Sequence, residues 1–235
     1  MYVHSYITTV PFLLYKICNK LVEVYRDFVF LLFRKPFYML FYNLGGNSFQ
    51  CKGKLRRTKV LLTGRGNLVL IEEGVLLNKV QIEISGKDNK LIIRKGVTFA
   101  EGGRIRIEDE RNTIEIDEDA KMINCFLSSA DKATRMYIGK NCLFSADVII
   151  RTSDAHSIII DGTTQRINKG DDVKIGEHVW ICNGTRVMKG SSIGKNCIIG
   201  SNTLVSGQKI EDNCLVVGNP CKVVKTGVNW SNKRF

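Results

Sequence analysis

Proline is scarce in this chain of 235 residues: three occur, against 21 glycines. The glycines recur inside apolar segments, which points to many tight corners rather than long helices. Histidine is equally sparse, with three in all. The eight cysteines form no CxxC pair, and no clear signal peptide precedes them, which argues against a disulfide scaffold. Cys142, Cys197 and Cys214 read instead as reduced packing residues of a cytoplasmic protein. No Walker or GxGxxG context is present, and no zinc-finger spacing, aromatic RNP pattern or basic heptad region. Nucleotide-binding folds and nucleic-acid partners are therefore not expected.

Positive charge is in excess, at +12, which suits anionic surroundings: phosphate-bearing cofactors, acidic glycans or anionic lipid. The densest basic run, Lys52, Lys54, Arg56, Arg57 and Lys59, reads as a solvated edge leading into the first strands. Apolar residues at 44% and charged residues at 25% are ordinary globular usage.

Residues 1–46 form a separate zone. Phe12, Leu13, Ile17, Leu21, Val24, Phe28 and Leu31 recur mostly at three- and four-residue intervals, as an amphipathic helical arm requires. Lys16, Lys20, Glu23, Arg26 and Asp27 interrupt it, so it falls short of the roughly 20 apolar residues of a membrane-spanning helix. It suits packing on the rest of the protein or on a sister subunit. Peripheral membrane contact through residues 1–45 is the alternative, given the basic and aromatic pairs Arg34, Lys35, Phe37 and Tyr38.

Beyond that zone the chain repeats. Gly64–Ile71, Gly86–Ile93, Glu110–Ile116 and Thr134–Ile138 align, each followed by a polar corner. The period is about 22 residues, a solenoid spacing. One such unit cannot bury its apolar face alone, so the units should stack. From Ile175 the period shortens to six: Ile175, Ile181, Val187, Ile193, Ile199 and Val205 are all aliphatic. Four residues after each of the first five comes a small or β-branched residue: Val179, Thr185, Ser191, Cys197 and Thr203. A helix would scatter residues six apart over different faces. A prism-like coil with three short strands per turn explains the period, so the fold class expected is an all-β solenoid over residues 47–225, with a short tail at 226–235.

These residues resemble the hexapeptide-repeat acyltransferase superfamily. The stretch from Ile175-Gly-Glu-His-Val-Trp-Ile181 to Gly218-Asn-Pro-Cys-Lys222 is similar to its sugar O-acetyltransferases. The resemblance implies a left-handed parallel β-helix with triangular coils, a homotrimer, clefts between subunits and acetyl-CoA as donor. Its zinc-dependent members need three histidine ligands. Here only His156 and His178 lie in the solenoid, so no metal is expected.

Between Ile150 and Ile175 the six-residue rhythm stops for a polar loop at about 151–172 that carries His156. Acyl transfer to a hydroxyl needs a base near neutral pKa, which imidazole provides. With the resemblance, His156 takes that role, and Asp154 and Asp161 are candidates to orient its ring. His178 is the competing base and a candidate substrate contact. Trp180 implies a cleft wall against sugar or pantetheine. By resemblance, Cys182, Asn183, Gly184, Ser201 and Lys222 seat the donor. Cys182 stands where glycine is common and Gly207 where lysine is common in the related enzymes; Lys209 is a candidate to compensate. The activity expected is O-acetylation of a sugar hydroxyl in a bacterial surface polysaccharide or its precursor. N-acetylation of an amino sugar and a non-catalytic glycan-binding scaffold are the alternatives.

Overall fold

The computed structural model of the chain describes residues 40–233. Of the expected helical arm (1–46) and its membrane contact (1–45), residues 1–39 lie outside the described residues. Residues 40–43 already belong to the solenoid, so it begins earlier than the glycine pair Gly45-Gly46 suggests.

Three long sheets build the described residues, and each circuit of the chain visits them in turn. The first sheet runs from Leu40–Asn43 to Leu204–Val205. The second runs from Ser48–Cys51 to Lys209–Ile210. The third runs from Lys54–Arg56 to Cys214–Val217, and there Lys222–Thr226 turns back antiparallel to close the last coil. Every other ladder between named strands is parallel, as a β-helix requires. Eight strands in the first sheet mean eight circuits.

The repeat periods follow from this path. Ile82, Ile105, Leu127, Ile150, Val187 and Val205 stand in register along the first sheet and are fully buried. Two to five residues per strand leave room for one to three inward side chains on each side of the prism, and six residues per side give the shortest circuit. The final circuits are 18 residues apart, as His178 and Asn196 show; the earlier ones are about 22 apart, as Asn67 and Asn89 show. Each fully buried isoleucine or leucine in this stack contributes about 1.5–3 kcal/mol.

The corners differ in chemistry. Between the first and second sheets a buried polar ladder climbs the edge. Asn89 N donates to Asn67 Oδ1 (2.9 Å), Asn112 N to Asn89 Oδ1 (2.8 Å) and Thr134 N to Asn112 Oδ1 (2.7 Å). It ends where the Thr134 and Thr152 hydroxyls meet at 2.8 Å. Between the second and third sheets the corner residue takes a left-handed conformation, at Asp119, Asn141, His178, Asn196 and Asn213. Asparagine, aspartate and histidine are the non-glycine residues that tolerate it best. Cys142, Cys197 and Cys214 are buried beside this edge, and burial pushes the Cys142 thiol up to about 12, in keeping with packing rather than nucleophilic chemistry.

Candidate active site

The 151–172 loop leaves the solenoid at the edge between the first and second sheets, directly above the polar ladder. The strand Ile149–Arg151 of the first sheet leads into it, and the chain resumes in the second sheet at Val173–Ile175. Within the loop, Ile159 and Arg166 form an antiparallel bridge, and Ile167 N bonds Ile158 O at 2.9 Å. A short hairpin results, with Asp161 in its exposed turn.

His156 sits at the hairpin's base, exposed to solvent. Its backbone is fixed at both ends of the peptide unit: its N–H donates to Asp154 O (2.9 Å), and its carbonyl accepts from Asn168 Nδ2 (2.8 Å). Among the described residues nothing hydrogen-bonds the imidazole, so a hydroxyl could reach either nitrogen.

Asp154 was expected to orient that ring, and its carboxylate is engaged elsewhere. Oδ2 accepts from Lys189 Nζ at 2.6 Å and from Asn168 Nδ2 at 2.9 Å. An ammonium one circuit along competes better for a carboxylate than a neutral imidazole does. Burial pushes this carboxyl up, but the Lys189 and Asn168 bonds together hold it below its ordinary value. Asp161, at the hairpin tip, makes no contact with the ring either; the turn places it at the far end of the loop.

Asn168 is the centre of the loop's attachment. It is buried and also accepts from Ile158 N at 2.7 Å. Beside it, Arg166 grips Asp131 with two bonds of 2.6 and 2.9 Å. Ser153 Oγ adds a third at 2.8 Å. The Arg166 bonds, with the others, keep the Asp131 carboxyl below the ordinary range. Lys189 and Asp131 were missed by sequence reasoning: both lie in circuits adjacent to the loop, and no local pattern points from them to it.

Trp180 and His178 lie elsewhere on the prism. Trp180 faces outward on the third sheet between Leu143 and Ile198, its indole donating to Ser145 Oγ at 3.3 Å. His178 occupies its left-handed corner with Nδ1 3.2 Å from Asn196 Oδ1. Trp230, from the tail after the last strand, lies over it. The two rings stack at 4.4 Å and 12°, and Trp230 Nε1 donates to His178 O at 2.7 Å. Trp180 and Trp230 are 5.9 Å apart. A recess of about 500 Å³ opens here, lined among others by Lys121, Asn141, Glu177, His178 and Trp230.

The residues expected to seat the donor divide in the same way. Cys182, Asn183 and Gly184 form the corner from the third sheet to the first, and Ser201 stands at the same corner one circuit on. These stack: Asn202 N donates to Asn183 O at 2.9 Å. A Cβ on Gly184 would meet Asn202 Oδ1, so the close stacking and positive φ of 70° both call for glycine. Asn183 and Ser201 are exposed, so a thioester arm lying along this edge would meet backbone and small side chains. Lys222 is exposed on the antiparallel cap strand of the third sheet. Lys209 is on the second sheet and does not join this corner.

Within one chain, then, His156 belongs to the edge between sheets one and two, while Trp180 belongs to the third sheet, which faces away from that edge in a three-sided prism.

Comparison with known proteins gives this arrangement a context. Residues 172–207 match the family described as bacterial transferase hexapeptide (six repeats). A polysialic acid O-acetyltransferase of Neisseria meningitidis is 29% identical over 192 residues, 73% of this chain and 89% of that protein. The enzyme of the same name from Escherichia coli O1:K1 / APEC is 31% identical over 94 residues; the match covers 40% of this chain and 30% of that longer protein. The crystal structure of the polySia-specific acetyltransferase NeuO superposes with a TM-score of 0.74 at 26% identity, covering 84% of this chain and 90% of that one.

Proposed function

We propose that the chain, which is similar to hexapeptide-repeat acetyltransferases, transfers acetyl from acetyl-CoA to a sugar hydroxyl of a bacterial surface polysaccharide or its precursor. The observation that carries the reading is His156: an imidazole unclaimed by neighbouring side chains, on a loop fixed at its neck by Asp154–Lys189 and Asp131–Arg166.

Acetyl-CoA supplies the activated acyl group. His156 takes the acceptor hydroxyl's proton as its oxygen attacks the thioester carbonyl, and returns that proton to the departing thiolate. Backbone N–H groups of the 182–184 corner are suited to the oxyanion, and Trp180 to the cleft wall. The placement of His156 and Trp180 on opposite parts of the prism supports a homotrimer whose clefts lie between copies, one copy offering the loop and the next the third sheet. We further propose that the protein works in the cytoplasm.

The test is acceptor-dependent release of free thiol from acetyl-CoA, measured across neutral, acidic and amino sugars and polysaccharides. Release with hydroxyl-only acceptors is expected. Release only with amino acceptors would transfer the assignment to N-acetylation. No release, and no thermal shift with CoA, would leave a binding scaffold.

A further inference from the structure

Positive charge is concentrated where the described prism begins. From residue 28 to residue 71 the sequence holds eight lysines and arginines and no aspartate or glutamate. On later circuits outward arginines are matched by carboxylates: Arg94 by Glu72 (2.9 Å) and Glu115 (2.7 Å), Arg104 by Glu83 (2.6 Å) and Arg106 by Glu108 (2.6 Å).

The structure places the first cations as a collar. Lys52 is exposed at the corner between the second and third sheets. Lys54 and Arg56 face outward on the third sheet, because Leu55 between them lies opposite the buried Leu77. Arg57 is exposed at the next corner, and Lys59 faces outward on the first sheet beside the buried Val60. Among the described residues no carboxylate pairs with Lys52, Lys54 or Lys59.

Inside this collar the prism is open. Leu40–Asn43, Ser48–Cys51 and Lys54–Arg56 are the end strands of their sheets among the described residues. Phe41, Phe49 and Leu55 occupy the inward positions that Val60, Val69 and Leu77 fill one rung on. Those three are fully buried, whereas Phe41 is 37% exposed and Phe49 and Leu55 are half-buried. The two phenyl rings meet at 4.7 Å, and Leu44 at the following corner is 48% exposed.

An aromatic, apolar centre rimmed by cations matches an anionic bilayer. Lysine and arginine are drawn to its headgroups, while aromatic and aliphatic side chains enter the boundary beneath them. A soluble polyanion would engage the cations and leave the apolar centre in water. The open strand edges carry backbone groups unpaired among the described residues, which hydrocarbon does not tolerate. The end is therefore suited to rest at the headgroup layer and not to cross it.

We propose that the first circuit docks on an anionic lipid bilayer, with the cations of residues 52–59 on the headgroups and Phe41, Leu44 and Phe49 at the acyl boundary. The prism axis then stands along the membrane normal. Rungs of a sheet are about 4.8 Å apart, so the His156 loop, five rungs on, is held roughly 24 Å above the headgroups. The docking goes beyond the acetyltransferase reading, and its test needs no turnover.

The full chain would be sedimented with vesicles of phosphatidylcholine alone and of phosphatidylcholine mixed with phosphatidylglycerol, at low and high salt. Beside it would run Leu44→Ser and a triple variant, Lys52→Gln with Lys54→Gln and Lys59→Gln, each checked for unchanged Tm. Wild type should prefer the anionic vesicles and lose that preference as salt is added. Each cation near such a surface is worth about fivefold in partition, so the triple variant should bind roughly 100-fold less tightly. Leu44→Ser should weaken binding by about fivefold.

Equal wild-type binding to both kinds of vesicle would overturn the proposal. Undiminished binding by the triple variant would also overturn it and move the attachment to residues 1–39. Undiminished binding by Leu44→Ser would overturn the apolar contact and leave a patch of charge alone. Wild-type binding to heparin without binding to vesicles would overturn the bilayer and assign the collar to a soluble polyanion.

Discussion

Lys189 Nζ lies 2.6 Å from Asp154 Oδ2, and this bond ties the first residues of the His156 loop to the next circuit of the coil. The same ammonium reaches the carbonyls of Asn168 (2.9 Å) and Lys169 (3.1 Å) at the loop's other end. One side chain thus closes the neck from both sides, and the placement of His156 depends on it.

Replacing Lys189 with methionine keeps most of its apolar stem and removes these bonds. A catalytic group displaced by about 1 Å can lose roughly 100-fold in rate. Lys189→Met is therefore expected to lower kcat by about 10- to 100-fold, with a far-ultraviolet spectrum unchanged from wild type. Unaltered kcat would show that the loop is positioned by other means.

The solenoid was legible because its signal is periodic. Stacked strands repeat the same inward position, so Ile175, Ile181 and Val187 announce it without knowledge of any contact. The corner ladder was not read from it, although Asn67, Asn89, Asn112 and Thr134 fall at one place in the aligned repeats, because polar side chains at a corner look like ordinary turn residues. The exposed loop and His156 stood out as the break in that rhythm. The loop's attachments did not: Asp154 was matched to the nearby histidine, whereas its partner Lys189 lies one circuit away in space and 35 residues away in sequence. Trp230 was missed for a related reason, as nothing in a tail without repeats points to His178.

Asn112 tests the ladder. Its side chain donates to Glu108 O (2.6 Å) and Asp131 O (2.7 Å) and accepts from Thr134 N and Oγ1. Asn112→Ala orphans several buried groups, each worth about 1–3 kcal/mol. A loss of roughly 3 kcal/mol or more, or about 6–12 °C in Tm, is expected by calorimetry. A shift under about 2 °C would mean the ladder adds little.

Acid should loosen the loop before neutral pH does. Asp131 and Asp154 both titrate lower in the folded protein than in the unfolded chain. The stability they contribute is therefore fully present above the ordinary aspartate value of about 3.9. It is lost as pH falls through their depressed folded values. Hydrogen exchange at Ile158 and Ile167 should stay slow down to about pH 4 and open below it. Opening near pH 6 instead would point to a histidine, not these carboxylates.

The chain's two tryptophans lie 5.9 Å apart beside the recess, so intrinsic fluorescence reports on that one place. A ligand entering beside Trp180 should give a saturable change in emission. Trp180→Phe should diminish it, and Trp230→Phe should not alter the ligand's affinity by more than about threefold, a change of well under 1 kcal/mol. No change with either CoA or acceptor would move Trp180 out of the cleft.

The most direct test compares His156→Ala with wild type in acceptor-dependent thiol release from acetyl-CoA. General-base catalysis contributes about 100- to 10,000-fold, so kcat should fall by that factor in a variant with unchanged Tm and undiminished CoA binding. A folded His156→Ala enzyme that retains wild-type turnover would contradict the account, and His178 would then be the base to examine.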